Sequence, residues 1–81
     1  MTHYVLVLDW ATNDEENVDI LGVFHTFEEA EELFNKHLDY EYKLAEEKGY
    51  TVSEYFKGCF AAYEEGYYMT DHTRLYIQGV E

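Results

Sequence analysis

Residues 25–42, HTFEEAEELFNKHLDYEY, carry the clearest structural signal in the chain. Thr26 is followed three residues later by Glu29, the spacing of a capping box, in which the Thr26 hydroxyl accepts from the Glu29 backbone N–H and the Glu29 carboxylate accepts from the Thr26 N–H. The apolar residues that follow recur at helical spacing: Phe27, Ala30, Leu33, Phe34, Leu38, Leu44 and Ala45. The pattern predicts a helix of roughly six turns that ends near Lys48, with Gly49 as its left-handed C′ residue.

Segments on both sides of this helix predict strands. Residues 3–9, HYVLVLD, and residues 18–25, VDILGVFH, are rich in apolar and β-branched side chains, and the polar turn 10–17 between them favours an antiparallel hairpin. Residues 67–80 predict either one strand or a hairpin, and 74–80 have the clearer strand pattern.

A second helix is predicted to begin at a Ser53 cap and to stop at Gly66, with Gly58 inside it at a cost of about 1 kcal/mol relative to alanine. Four residues in this segment fall at helical spacing: Phe56, Cys59, Phe60 and Tyr63. The predicted fold class is therefore α+β, a small single domain over residues 1–81. It has an N-terminal antiparallel hairpin, a long acidic helix, a shorter second helix and one or two C-terminal strands that join the sheet.

Composition restricts the possible functions. At 81 residues and 47% hydrophobic content, the chain has room for one modest core and is too apolar to be disordered. Eighteen acidic residues against five basic ones give a formal net charge of -13, which disfavours direct contact with nucleic acid or an anionic membrane and favours a basic protein partner. A single cysteine and a short N-terminal apolar run indicate the cytoplasm, the host cytoplasm if the protein is phage-encoded.

No pattern indicates catalysis, a metal or a cofactor. The histidines lack the spacing that places two ligands on one helix face, and the acidic turn 13–19 lacks the glycine and terminal glutamate of an EF-hand loop. Cys59 has no neighbouring cation in sequence and is interpreted as a small buried hydrophobe. A chain this short also has little room for a cleft that would desolvate a catalytic carboxylate. We therefore expect a protein that is not an enzyme and holds no cofactor.

Carboxylates supply the remaining functional signal. On a helical wheel, Glu28, Glu32, Asp39 and Glu46 form one outward ridge. Four further acids flank it: Glu29, Glu31, Glu41 and Glu47. Two pairs would offset part of the repulsion, Glu32–Lys36 and Asp39–Lys43. Trp10 has two interpretations, a side chain at the edge of the core or an exposed binding anchor. The candidate partner-binding residues are Glu28, Glu32, Asp39, Glu46, Asp14, Glu15, Glu16, Tyr42 and Trp10.

The segment YVLVLDW at residues 4–10, with DILGVFHTFEEAEELF at 19–34, resembles small acidic strand–strand–helix proteins of unknown function from bacteria and phages. In size and acidity the chain is also similar to phage anti-CRISPR and antirestriction inhibitors, many of which mimic DNA. The resemblance implies a non-enzymatic inhibitor that occupies the nucleic-acid groove of a host defence enzyme, and it carries over no individual residue. The alternative is a small interaction or structural module, homodimeric, whose acidic surface is only solvated.

Overall fold

A single antiparallel sheet with one helix across it makes up the described part of the chain. The computed structural model describes residues 2–12, 15–64 and 71–81. Its elements in chain order are β1 (His3–Ala11), β2 (Glu16–Phe24), α1 (Phe27–Lys48), β3 (Thr51–Phe56), β4 (Cys59–Tyr63) and β5 (His72–Val80). The strands lie in the order β2-β1-β5-β4-β3, and each neighbouring pair is antiparallel. β5 therefore lies at the centre of the sheet.

The N-terminal hairpin predicted from the sequence is confirmed. β1 and β2 pair antiparallel, and their register shifts once, because Leu6 faces Gly22 whereas Val7 faces Ile20. Leu21 is thus the extra residue of a β-bulge. It packs against the core beside α1, while Ile20 lies on the opposite side of the sheet.

α1 begins and ends where the sequence predicts. Thr26 is the extended N-cap (φ -126°, ψ 153°), and its Oγ1 accepts a hydrogen bond from the Glu29 backbone N–H at 3.2 Å. The reciprocal half of the predicted capping box is different, because the Glu29 carboxylate accepts from the Thr26 hydroxyl at 3.0 Å rather than from its backbone N–H. Gly49 ends the helix with φ 74°, and its N–H donates to carbonyls of the last turn.

The core lies between α1 and the sheet. Its largest fully buried side chains are Leu6 of β1, Phe34 of α1, Phe60 of β4 and Leu75 of β5. Each such side chain contributes about 1.5–3 kcal/mol by leaving water. These contacts hold α1 against the central strands and leave its opposite side to solvent.

The predicted second helix is wrong. The segment forms β3 and β4, an antiparallel hairpin in which Phe56 faces Cys59 across a turn at Lys57 and Gly58. Gly58 has φ 77°, a left-handed conformation that suits a tight turn and not an α-helix. The described residues therefore contain one helix rather than two, and the fold class is corrected to a five-stranded antiparallel sheet with a single helix.

The pairing of β4 with a strand on each side explains why this segment is not a helix. β4 lies between β3 and β5, so Phe60 points to the core while Cys59 and Tyr63 point to the other side of the sheet. The C-terminal strand is observed as β5, which includes the predicted residues 74–80. The earlier part of that prediction, residues 67–70, lies outside the described residues.

Candidate functional site

The predicted acidic ridge lies on the solvent side of α1. Glu28, Glu32, Asp39 and Glu46 are all exposed, whereas the buried positions of the helix face the sheet. At 1.5 Å per residue, the row from Glu28 to Glu46 is about 27 Å long. Exposed Lys36 and Lys43 interrupt it, so the surface is dominated by carboxylates but not formed by them alone.

Lys36 and Lys43 do not form the pairs with ridge carboxylates that the sequence predicts. Within the described ranges neither predicted pair is closed, and the close acid–base contacts are instead Lys57 Nζ to Glu31 at 3.8 Å and His72 Nε2 to Asp9 at 3.6 Å. The Lys57 side chain is 72% exposed, so its pair with Glu31 contributes at most about 1 kcal/mol. The four ridge carboxylates therefore keep most of their negative potential.

Glu41 was expected beside the ridge, and this prediction is wrong. Only 6% of its surface is exposed, because it lies on the side of α1 that faces the sheet. Burial raises the pKa of the Glu41 carboxyl, while the charges of His37 and Lys48 and a hydrogen bond with the Thr73 side chain oppose that rise. The sequence contained the signal, since Glu41 follows Phe34 by seven residues and precedes Ala45 by four.

Glu41 also lines a cavity of about 250 Å³ between the end of α1 and the adjoining ends of β1 and β5. Its walls are mainly apolar and include Leu8, Trp10, Leu44 and Tyr50. Trp10 is half-buried, and both of its interpretations stay open. The cavity thus places one buried carboxylate among apolar and aromatic side chains.

The remaining acidic candidates lie at one end of the helix. Glu15 and Glu16 are exposed at the β1–β2 connection, and Asp14 lies outside the described residues. Thr12 of this connection and Lys48 of α1 line the same cavity. The connection is therefore close to the C-terminal end of α1, but its pairing with Ala11 places Glu16 on the side of the sheet away from the helix.

Tyr42 is the aromatic member of the predicted site. It is 37% exposed and packs edge-to-face on Tyr55, with the ring centroids 5.7 Å apart. The neighbouring Glu46 carboxylate raises the pKa of the Tyr42 hydroxyl, through its charge and through a hydrogen bond. Tyr42 therefore presents a neutral, flat surface beside the ridge at neutral pH.

Cys59 is buried, as predicted, although it begins a strand and not a helix. Its Sγ donates to Glu54 Oε2 at 2.9 Å. Burial raises the pKa of the thiol first, and the Glu54 carboxylate adds to the effect. A protonated, buried sulfur of this kind is a poor nucleophile.

Within residues 2–12, 15–64 and 71–81, no helix has the length and apolar character that crossing a membrane requires. The same residues contain no group of three or more His, Cys, Asp and Glu side chains placed to hold a metal ion. Comparison with protein-family models, curated proteins and solved structures finds no significant match to the chain.

Proposed function

We propose that the protein is a non-enzymatic binding protein whose acidic helix occupies the basic, nucleic-acid-binding groove of a partner enzyme. The observation that carries this proposal is the density of exposed carboxylates along α1: Glu28, Glu29, Glu32, Asp39, Glu46 and Glu47. They extend over about 29 Å at 1.5 Å per residue, or roughly one charge every 5 Å on average. One strand of B-DNA carries a phosphate about every 3.4 Å along its axis.

Electrostatics supports a basic groove as the partner surface. The ridge carboxylates are exposed, and the close acid–base contacts of the described residues involve Glu31 and Asp9 instead. A rigid row of such charges attracts Lys and Arg side chains over a long range and accelerates association. Tyr40 and Tyr42, which are 64% and 37% exposed, add aromatic contact area beside the row.

The partner class that fits this chemistry is a host defence enzyme with a nucleic-acid channel, such as an RNA-guided nuclease or a restriction enzyme. Such channels hold the phosphate backbone through clustered basic side chains. An acidic helix in the channel would exclude the substrate. These enzymes act in the host cytoplasm, which is the compartment we propose.

Neutralising the ridge tests the proposal. The variant Glu28→Gln, Glu32→Gln, Asp39→Asn removes three exposed ridge charges, and we expect it to fold normally. Its binding to a purified Cas9-type nuclease or a type I restriction enzyme should weaken at least tenfold, mainly through slower association with a smaller salt dependence. Duplex DNA should compete with the unmodified protein for the same site.

A matched control separates the ridge from total charge. The variant Asp19→Asn, Glu64→Gln, Glu81→Gln removes the same number of charges from outside α1 and should bind almost normally. Equal losses in both variants would indicate that only net charge matters. Absence of binding to either enzyme, or simultaneous binding of DNA and protein, would contradict the proposed function.

A homodimeric interaction module is a second candidate function. The observation that favours it is an apolar sheet surface on the side away from α1, with Ile20 58% and Phe56 62% exposed. In this alternative the carboxylates of α1 serve only solubility.

A further inference from the structure

The side of the sheet opposite α1 is an exposed apolar surface. Strand register places on this side residues that alternate with the core positions, as Val5 and Val7 alternate with Leu6. We call six of them the outer face: Val18, Ile20, Val23, Phe56, Tyr76 and Val80. Five are between 46% and 62% exposed, and Tyr76 is half-buried. On the same side, Val7 and Cys59 are only 5% and 7% exposed, so the accessible apolar surface is formed by the outer-face residues around them.

Charge distinguishes the outer face from the rest of the molecule. The described strand carboxylates on this side are Asp9, Glu16 and Glu54, and Arg74 lies directly opposite Asp9 in the β1–β5 register. The Arg74 guanidinium also stacks over the Tyr76 ring at 4.6 Å. By contrast, α1 alone carries eight carboxylates and three lysines. A basic partner would therefore be drawn to α1, whereas the outer face suits a nearly neutral apolar surface.

The size of the outer face suits a stable dimer. Five strands about 4.8 Å apart, each with about seven paired residues at 3.3 Å per residue, cover roughly 550 Å² in projection. Because side chains project from the sheet, the accessible area of this whole side is larger than its projection. It therefore approaches the roughly 800 Å² that each partner buries in a standard interface.

We propose that a second copy of this chain covers the outer face, so that two sheets pack face to face around a two-fold axis. A two-fold interface joins one surface to itself, and a flat, weakly charged apolar face satisfies that requirement. Sheets packed in this way lie about 10 Å apart, with α1 on both outer surfaces of the dimer. The two acidic rows then point away from each other, which keeps their repulsion small and leaves both free to bind.

The edges of the sheet are poorer places for a second copy. β2 carries the Leu21 bulge, and β3 has a register shift at Ser53, between Val52 and Glu54. Bulges and charged side chains on edge strands discourage the pairing of one sheet with another. The outer face, and not an edge, is therefore the assigned interface.

Sedimentation velocity across about 1 to 500 μM protein tests the assignment, because dimerisation depends on concentration. The unmodified protein should dimerise, and Ile20→Lys and Phe56→Lys should each raise the dissociation constant at least tenfold. Tyr40→Lys is the matched control, since Tyr40 is 64% exposed on α1 and away from the outer face. Far-UV circular dichroism confirms folding, and Ile20→Thr is a milder substitution in case lysine unfolds the strand.

Salt gives an independent test. Two chains of net charge -13 repel each other, so raising NaCl from about 0.05 to 0.5 M should strengthen the dimer. A monomer throughout the concentration range would overturn the inference. So would a dimer that survives both lysine substitutions, a dimer that Tyr40→Lys disrupts equally, or a monomer whose outer face binds a different protein. None of these outcomes affects the ridge experiment, since the two surfaces lie on opposite sides of the sheet.

Discussion

Glu41 lies seven residues after Phe34 on α1, and both side chains are buried against the sheet, with 6% and 2% of their surfaces exposed. Phe34 stabilises the core there, whereas Glu41 must give up much of its hydration. Electrostatic attraction from His37 and Lys48 and a hydrogen bond with Thr73 compensate part of that cost. The helix therefore carries an energetic cost on the face that also holds it to the sheet.

Replacing Glu41 with Gln should stabilise the protein at pH 7 and have less effect at pH 5. Burial raises the pKa of the carboxyl in the folded protein, so the folded state binds this proton more readily than the unfolded chain. The stability that depends on this group consequently falls as pH rises from the unfolded pKa through the folded one. Each unit of pKa difference corresponds to about 1.4 kcal/mol.

Urea denaturation of the two proteins at several pH values measures this difference. The advantage of Gln over Glu41 should shrink as the pH is lowered through that window. Glu64→Gln, at an exposed site, is the control and should change stability by less than about 0.5 kcal/mol. A Glu41→Gln protein that is less stable at pH 7 would show that its charged contacts outweigh desolvation.

Replacing Gly58 with Ala should destabilise the protein by more than about 1 kcal/mol. Gly58 has φ 77°, and an added Cβ would lie 3.1 Å from the Phe27 ring. In the helix predicted from the sequence, the same change would have stabilised the protein by about 1 kcal/mol. The sign of the change in unfolding free energy thus distinguishes the hairpin from a helix.

Gly49→Ala is a useful comparison for this measurement. Gly49 has φ 74° but no atom within 4 Å of an added Cβ, so its substitution tests the backbone conformation without the Phe27 contact. We expect Gly49→Ala to cost less than Gly58→Ala. Equal costs would mean that the contact contributes little.

Replacing Thr26 with Ala should lower the unfolding free energy by about 1 kcal/mol, because the first turn of α1 loses its side-chain acceptor. Thr26→Ser retains the hydroxyl that accepts from the Glu29 N–H and should retain most of the stability. Thermal denaturation of the three proteins provides the comparison. Similar losses in the Ser and Ala variants would show that the Thr26 methyl group, and not the hydroxyl, stabilises this end of the helix.

Local interactions were predictable from the sequence. Thr26 and Gly49 act within one turn of the helix, so their residue types were enough to locate both of its ends. The β3–β4 hairpin was not predictable in this way. Phe56, Cys59, Phe60 and Tyr63 fit a helical period, but Phe56 pairs with Cys59 across the hairpin and the other three pair with β5. A short apolar segment is ambiguous until its distant partner is known.

In the candidate site, too, some features were predictable from the sequence and others depend on the fold. The exposure of Glu28, Glu32, Asp39 and Glu46 follows from helical geometry, and it was predictable once the apolar stripe was recognised. The burial of Glu41 required its spacing from Phe34 to be given more weight than its charge. The outer face could not be deduced from Ile20 or Phe56 alone, because it depends on which side of the sheet α1 covers.

The central position of β5 has a consequence for the order in which the molecule can fold. β1–β2 and β3–β4 are hairpins formed by residues close in sequence, yet neither hairpin pairs with the other. β5, the last of these five strands in chain order, inserts between them and supplies the pairing for both. Until it does so, the nascent chain has two separate half-sheets with unpaired inner edges. Completion of the sheet is therefore a single late event that joins segments distant in sequence, the kind of step that makes folding slow.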